Sequence, residues 1–200
     1  MSSRLDWHIQ YLTSNGFAIA EVDYRGSSGY GRKLRRELYG HWGTADVEDC
    51  IAVAAHLLDA GRTSSGRVFI TGASAGGYTA LQAVSQPSPF SGAVARSAIT
   101  DADRWRSTAP RWQRPHAAAL AGPAGPVSPE RIQQPVLLIH GSDDHVAPVA
   151  EVRRLSRGLE ARGLPHRLLI LDARHQVSAQ QAAAQALEAE LDFYRGLLGT

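Results

Sequence analysis

A serine framed by glycines stands where an apolar run gives way to a helical pattern. Gly72-Ala73-Ser74-Ala75-Gly76-Gly77 follows Arg67-Val68-Phe69-Ile70-Thr71 and precedes Tyr78-Thr79-Ala80-Leu81-Gln82-Ala83-Val84. Strand, G-x-S-x-G, helix is the setting of a nucleophile elbow. The turn is so tight that a side chain at either framing glycine would collide with neighbouring backbone. The serine is held at the tip in strained φ/ψ with its hydroxyl exposed. The free N–H groups of the new helix point at the same spot and favour a developing oxyanion. In a chain with 19 glycines the five-residue pattern is weak by itself, and its meaning rests on what else reaches it.

A serine hydroxyl attacks poorly until a base takes its proton, and the base needs an orienting carboxylate. Two later strand ends offer both. Val136-Leu137-Leu138-Ile139-His140 runs into Gly141-Ser142-Asp143-Asp144-His145, and Arg167 to Leu171 runs into Asp172-Ala173-Arg174-His175. Serine, acid, histidine is the chain order of α/β-hydrolases. His175 is the better base, because it lies in the loop before the last helix, where it can swing over the elbow. Asp143 and Asp144 are adjacent, and the residues alone leave open which is the orienter and which only braces the loop. His140, Asp143, Asp144 and His145 are also permissible metal ligands. Four ligands on one short strand-end turn rarely converge on an ion, so no metal is expected. His8, His41, His56, His116 and His166 have no partner that the sequence identifies.

The elements that must position these groups alternate between apolar runs and helical stripes. Leu5, Ile9 and Leu12 predict an amphipathic helix that Gly16 ends, and Phe17–Val22 reads as a buried strand. Asp23 to Gly31 is a glycine-rich loop, and a short helix is expected over Arg32–Leu38. Thr44 is placed to cap a long helix with the stripe Val47, Ile51, Ala55 and Leu58, and Asp46 and Glu48 complement its positive end. Arg67–Thr71 and Ser91–Ile99 are the next strands. Residues 101–134, with Trp105 and Trp112, form an excursion of short helices above the sheet that buries both tryptophans. Val136–His140 follows, then a helix begun by Pro148 with the stripe Val152, Leu155 and Leu159. Arg167–Leu171 is the last strand. Ser178 and Gln181 suit a capping box for the last helix, whose inner face is Leu187, Leu191, Tyr194 and Leu198. Alternating strands and helices predict an α/β fold with a parallel sheet covered on both faces. In such a sheet the site lies beyond the carboxyl ends of the strands.

The composition narrows the function. With 200 residues and 44% hydrophobic content the chain suits one domain with a real core. The net charge of +2 comes from 21 basic and 19 acidic residues spread along the chain. No basic block appears, which argues against nucleic acid or a membrane surface as partner. The single cysteine, Cys50, excludes an internal disulfide and reads as a small core residue. No signal peptide is legible, so the expected location is cytoplasmic.

Read together, the motifs resemble the prolyl oligopeptidase family of serine peptidases over residues 5 to 198. The resemblance is carried by Asp23-Tyr24-Arg25-Gly26-Ser27-Ser28-Gly29-Tyr30-Gly31-Arg32 and by Trp42-Gly43 with Asp46-Val47-Glu48-Asp49. Gly72 to Tyr78 and His140 to Pro148 carry it as well. It is closest to the acylaminoacyl- and dipeptidyl-peptidase-like branches. In that family the acid is the third residue after the glycine, which selects Asp144. His175 falls at the family's histidine, with Gln176 where a glycine is usual. The resemblance implies an α/β-hydrolase-type sheet of about five strands and a single catalytic domain over 1–200. It implies hydrolysis of short peptides through an acyl-enzyme, with Ser74, Asp144 and His175 catalytic, the Ala75 N–H as oxyanion donor, and no cofactor. The family's β-propeller and first strands, one of which ends in a turn carrying a second oxyanion donor, have no counterpart in this sequence. Loss of one such donor costs about 10²–10³ in rate. The alternatives are a small carboxylesterase acting on acyl substrates, or a non-catalytic remnant serving as an interaction module. The missing strand normally lies between Phe17–Val22 and Arg67–Thr71. The expectation is therefore five strands in chain order, or a gap with exposed apolar surface and self-association through that edge.

Overall fold

The computed structural model describes residues 6–200. In chain order the elements are α1 (Trp7–Ser14), α2 (Gly31–Arg36), α3 (Ala45–Asp59), β1 (Ile70–Ala73), α4 (Ala75–Ala83), β2 (Ala93–Arg96), α5 (Ala102–Thr108) and α6 (Arg114–Leu120). They continue with β3 (Val136–Gly141), α7 (Val149–Ala161), β4 (His166–Leu171) and α8 (Gln180–Leu198). The four strands form one parallel sheet in the order β1-β2-β3-β4.

Period-two alternation divides the strand side chains between two cores. Ala93, Ala95, Val136 and Leu138 face a larger core with Val47 of α3, Leu81 of α4 and the stripe Val152, Leu155 and Leu159 of α7. Val94, Leu137 and Ile139 face the other side, where Leu12 of α1 and Ala182, Ala186 and Tyr194 of α8 cover them. Both faces of β2 and β3 are therefore buried, as a parallel sheet with helices on each side requires. Arg25 ties the glycine-rich loop to α3, donating to Asp49 Oδ1 at 3.0 Å, Glu48 Oε2 at 2.8 Å and the Ala45 carbonyl at 2.9 Å.

Several local expectations are corrected. Phe17–Val22 is not a strand, so the sheet has four strands rather than five, and no gap opens within it. A strand needs a neighbour for its N–H and C=O groups, and among the described residues β1 pairs only with β2. The Phe17 amide instead donates back to the Leu12 carbonyl at 3.1 Å, its ring packs 5.4 Å from Tyr194, and residues 18–21 are exposed. Thr44 precedes α3 but does not cap it, since its hydroxyl donates to the His41 carbonyl. The inner stripe of α3 uses Ala54 rather than Ala55, and Asp46, expected at a solvated helix end, is fully buried. α8 starts after Ala179 without a side-chain cap, so Ser178 and Gln181 form no capping box. Trp105 is buried as expected, but Trp112 is 78% exposed. Leu5 lies outside the described residues. Among those residues no helix is long and apolar enough to cross a membrane.

Candidate active site

The elbow is built by close backbone approach. A methyl group at Gly72 would lie 2.2 Å from the Gly76 carbonyl oxygen, so only glycine permits the return of the chain into α4, whereas one at Gly76 would meet nothing within 4 Å, so the clash expected at both framing glycines exists at Gly72 alone. Ser74 sits between them at φ 55°, ψ −113°, one of two non-glycine residues with positive φ among those described. The carboxyl end of β2 clamps this strained residue. The Ser74 amide donates to the Arg96 carbonyl at 2.8 Å, and the Ile99 amide donates to the Ser74 carbonyl at 3.3 Å. Ala75 is the first residue of α4, so its N–H has no intrahelical acceptor. We expect Gly72→Ala to force this turn open and lower kcat by about 10²-fold, the usual scale for an ångström of misplacement. Ester turnover and thermal melting would check it; wild-type kcat in the variant would contradict the close-approach account.

The acid loop begins where β3 ends. Gly141 is overlain by the histidine loop so closely that a β-carbon there would be 2.4 Å from the carbonyl oxygens of both Ala173 and Arg174. That contact brings the loops after β3 and β4 together. The Ser142 amide donates to the Leu171 carbonyl at 2.8 Å, and the Asp143 amide to that of Ala173 at 3.0 Å. Asp144 is buried, and its Oδ1 accepts from the amides of Val146 and Ala147, each at 2.9 Å. Burial works against its charge, but donors from His140, His175 and the Ala147 amide outweigh that and hold the carboxyl well below the usual carboxylate range.

The structure brings Ser74, Asp144 and His175 together at three strand ends. His175 Nδ1 lies 2.9 Å from Asp144 Oδ2 and 3.1 Å from Oδ1, and its Nε2 lies 2.9 Å from Ser74 Oγ. An ionised carboxylate can only accept, so Nδ1 carries the hydrogen, and in the neutral ring Nε2 is left free to accept from the serine. Such a chain can move a proton from the hydroxyl to the imidazole while the carboxylate holds the ring in place. Asp143 does not join it: it is exposed and faces His145 Nε2 at 3.0 Å and Arg174 Nε at 3.5 Å. The four residues weighed as metal ligands thus divide into an exposed pair, Asp143 and His145, and a buried pair.

In that buried pair His140 Nε2 lies 2.7 Å from the Ala147 carbonyl and 3.3 Å from Asp144 Oδ2. It faces two acceptors, so it carries a hydrogen and braces the acid from below. The sequence gives one faint signal of this, the i, i+4 spacing of His140 and Asp144. The excursion closes over the same end of the sheet. Ile99, Trp105 and Thr108 line a narrow cleft against Val146, Ala147 and Pro148. Arg104 Nε and the Thr100 hydroxyl, 3.0 and 3.1 Å from the Glu151 carboxylate, tie α5 to α7.

Known proteins share this arrangement of elements. A Mycobacterium tuberculosis puromycin-hydrolyzing peptidase superposes with a TM-score of 0.93 at 34% identity, covering 100% of this chain and 32% of that one. An acylamino-acid-releasing enzyme from Oryza sativa subsp. japonica is 26% identical over 194 residues, 86% of this chain and 25% of its own length. The corresponding enzyme of Sus scrofa is 29% identical over 177 residues, 80% of this chain and 24% of that protein. The chain therefore spans about a quarter of the length of these curated relatives. The family model for the prolyl oligopeptidase family matches residues 3–200, nearly end to end. The chain belongs to the prolyl oligopeptidase family.

Proposed function

We propose that this chain carries the chemistry of a serine-type peptidase that cleaves an amide bond in short peptides through an acyl-enzyme. The observation that carries the reading is the continuous hydrogen-bonded path from Asp144 through His175 to Ser74 Oγ, with 2.9 Å at both links. Ser74 Oγ attacks the acyl carbon as His175 Nε2 takes its proton. The Ala75 N–H donates to the oxyanion that forms. Collapse breaks the C–N bond, and His175 returns the proton to the leaving amine. Water then repeats the sequence: His175 takes its proton, its oxygen joins the acyl carbon, and the ester bond to Ser74 breaks as His175 returns that proton to Ser74 Oγ. Asp144 stays ionised throughout and stabilises the imidazolium.

The related proteins named for hydrolysing puromycin and for releasing acylamino acids favour an amide rather than an ester substrate. A proton donor aligned with the leaving group matters most for an amine, which leaves poorly without one. Parallel assays on peptide anilides and p-nitrophenyl esters test the reading. Turnover of both is expected, because the acyl-enzyme is common to them. Hydrolysis of esters with no detectable anilide cleavage would replace the peptidase by a carboxylesterase.

A further inference from the structure

Asp46 is a buried carboxylate that the hydrolytic chemistry does not use. It is 0% exposed, and among the described residues no cation pairs with it. Its Oδ1 accepts from the Gly43 amide at 2.7 Å, and its Oδ2 meets the Thr79 hydroxyl in a short hydrogen bond. Burial pushes its carboxyl up, against the pull of the Thr79 hydroxyl and the backbone amides of Gly43, Asp46 and Val47. The groups close enough to feel its charge are Tyr24, Cys50 and Tyr78, all acids that are neutral at ordinary pH. A lone carboxylate kept away from water and cations is a costly choice for a helix terminus that solvent would serve as well. What distinguishes it is the partner on the far side.

Thr79 belongs to α4, the helix that the elbow starts. Its hydroxyl also lies 3.2 Å from the carbonyl of Ala75, the residue next to Ser74. One hydroxyl hydrogen therefore faces two acceptors. If Asp46 is ionised, the hydrogen goes to Asp46. If Asp46 is protonated, its own hydrogen goes to Thr79 Oγ1, and Thr79 passes its hydrogen to the Ala75 carbonyl. The Asp46–Thr79 link persists in both states. Next to it the Trp42 ring packs on Tyr78 with centroids 4.6 Å apart, and the Tyr78 hydroxyl donates to the Gly125 carbonyl at 2.6 Å. The segment from Trp42 to Asp46 thus grips consecutive residues of α4, Tyr78 and Thr79, while the end of β2 clamps Ser74 itself.

We propose that Asp46 and Thr79 form a positioning strap that locks the elbow helix to α3 and so sets the attack geometry of Ser74. Neither side chain is open to substrate: Thr79 is 4% exposed and Asp46 0%. The inference rests on the peptidase reading for its kinetic consequence but not for its structural one. The strap works through connectivity rather than charge. An amide at position 46 keeps it, because Oδ1 still accepts from Gly43 while Nδ2 donates to Thr79 Oγ1. Serine at position 79 keeps it as well. Valine at position 79 has the shape of threonine without the hydroxyl, and it breaks the strap while leaving the Asp46–Gly43 contact in place.

The test compares Thr79→Val, Thr79→Ser and Asp46→Asn in the full chain. It combines steady-state kinetics on a p-nitrophenyl ester with hydrogen exchange of the Tyr78–Leu81 amides. For Thr79→Val, kcat should fall about tenfold with KM within about twofold, the signature of misplaced reacting groups. Its α4 amides should also exchange measurably faster. Thr79→Ser and Asp46→Asn should stay within about threefold in kcat, with exchange close to wild type. Wild-type kcat and exchange in Thr79→Val would overturn the strap. So would equal impairment of Thr79→Val and Thr79→Ser, which would tie the effect to any change at this packed position rather than to the hydroxyl, and so would a loss expressed in KM alone. Absence of any ester turnover in the wild-type chain would strike the peptidase reading instead, and the exchange data would then decide the strap by themselves.

Discussion

Replacement of His175 by alanine is expected to lower kcat on the order of 10⁶-fold, to the level that binding and oxyanion stabilisation alone provide. Among the described residues the imidazole is the only side chain hydrogen-bonded to Ser74 Oγ, at 2.9 Å, and without it the hydroxyl has no acceptor for its proton. KM should change little, because the ring acts on the reacting atoms rather than on the rest of the substrate. The matched control is His145→Ala. That ring is 83% exposed and pairs with the exposed Asp143, so kcat should stay within about twofold. More than about one per cent of wild-type activity in His175→Ala would mean that another group serves as base, since a base displaced from its nucleophile does not retain such rates.

Asp144→Asn is expected to cost about 10⁴-fold in kcat while leaving the fold intact, and its cause is tautomeric. The carboxylate accepts from Nδ1 and leaves Nε2 open to the serine proton. Asparagine can present its amide N–H to the ring, which places the ring hydrogen on Nε2 and removes the base. The same carboxylate contributes to the pH dependence of stability. Its folded-state pKa lies below the ordinary value, so its contribution is fully present above that value, about 4, and fades as pH falls towards the folded pKa. Melting temperatures taken from neutral pH downward should therefore decline below about pH 4 more steeply in wild type than in Asp144→Asn. A steeper decline in the variant would contradict this assignment of the buried charge.

The site was more legible in the sequence than the sheet around it, for reasons seen in particular residues. Gly72 and Gly76 frame Ser74 within five residues, and the clash that requires Gly72 is set by local backbone alone. His175 and the pair Asp143 and Asp144 each lie just beyond the carboxyl end of a strand, so chain order and strand ends bring them to the elbow without knowledge of packing, and the family resemblance selects Asp144 from the pair. Phe17–Val22 failed because apolar content does not create a hydrogen-bonding neighbour. The same six residues read alike whether they enter a sheet or stay outside it with Phe17 packed on Tyr194 and the next four exposed. Trp112 failed because one large aromatic in a proline-rich segment gives no periodicity to say which way it faces. Asp46 looked like a dipole-complementing acid at a helix start. Its buried partner is Thr79, which lies 33 residues away on another helix. His140 likewise reads as the end of a strand until the turn to Ala147 folds back onto its ring.

Activation of Ser74 as a nucleophile is read most directly by covalent labelling with a fluorophosphonate followed by mass mapping of the modified residue. The reagent requires a serine with a working base and no particular substrate, so it reads the Ser74–His175–Asp144 assembly alone. Stoichiometric labelling confined to the peptide containing Ser74 is expected. Ser74→Ala should take up no label, and labelling of His175→Ala should be strongly slowed. A folded wild-type chain that takes up no label, or one labelled equally in the Ser74→Ala variant, would contradict the activation of Ser74.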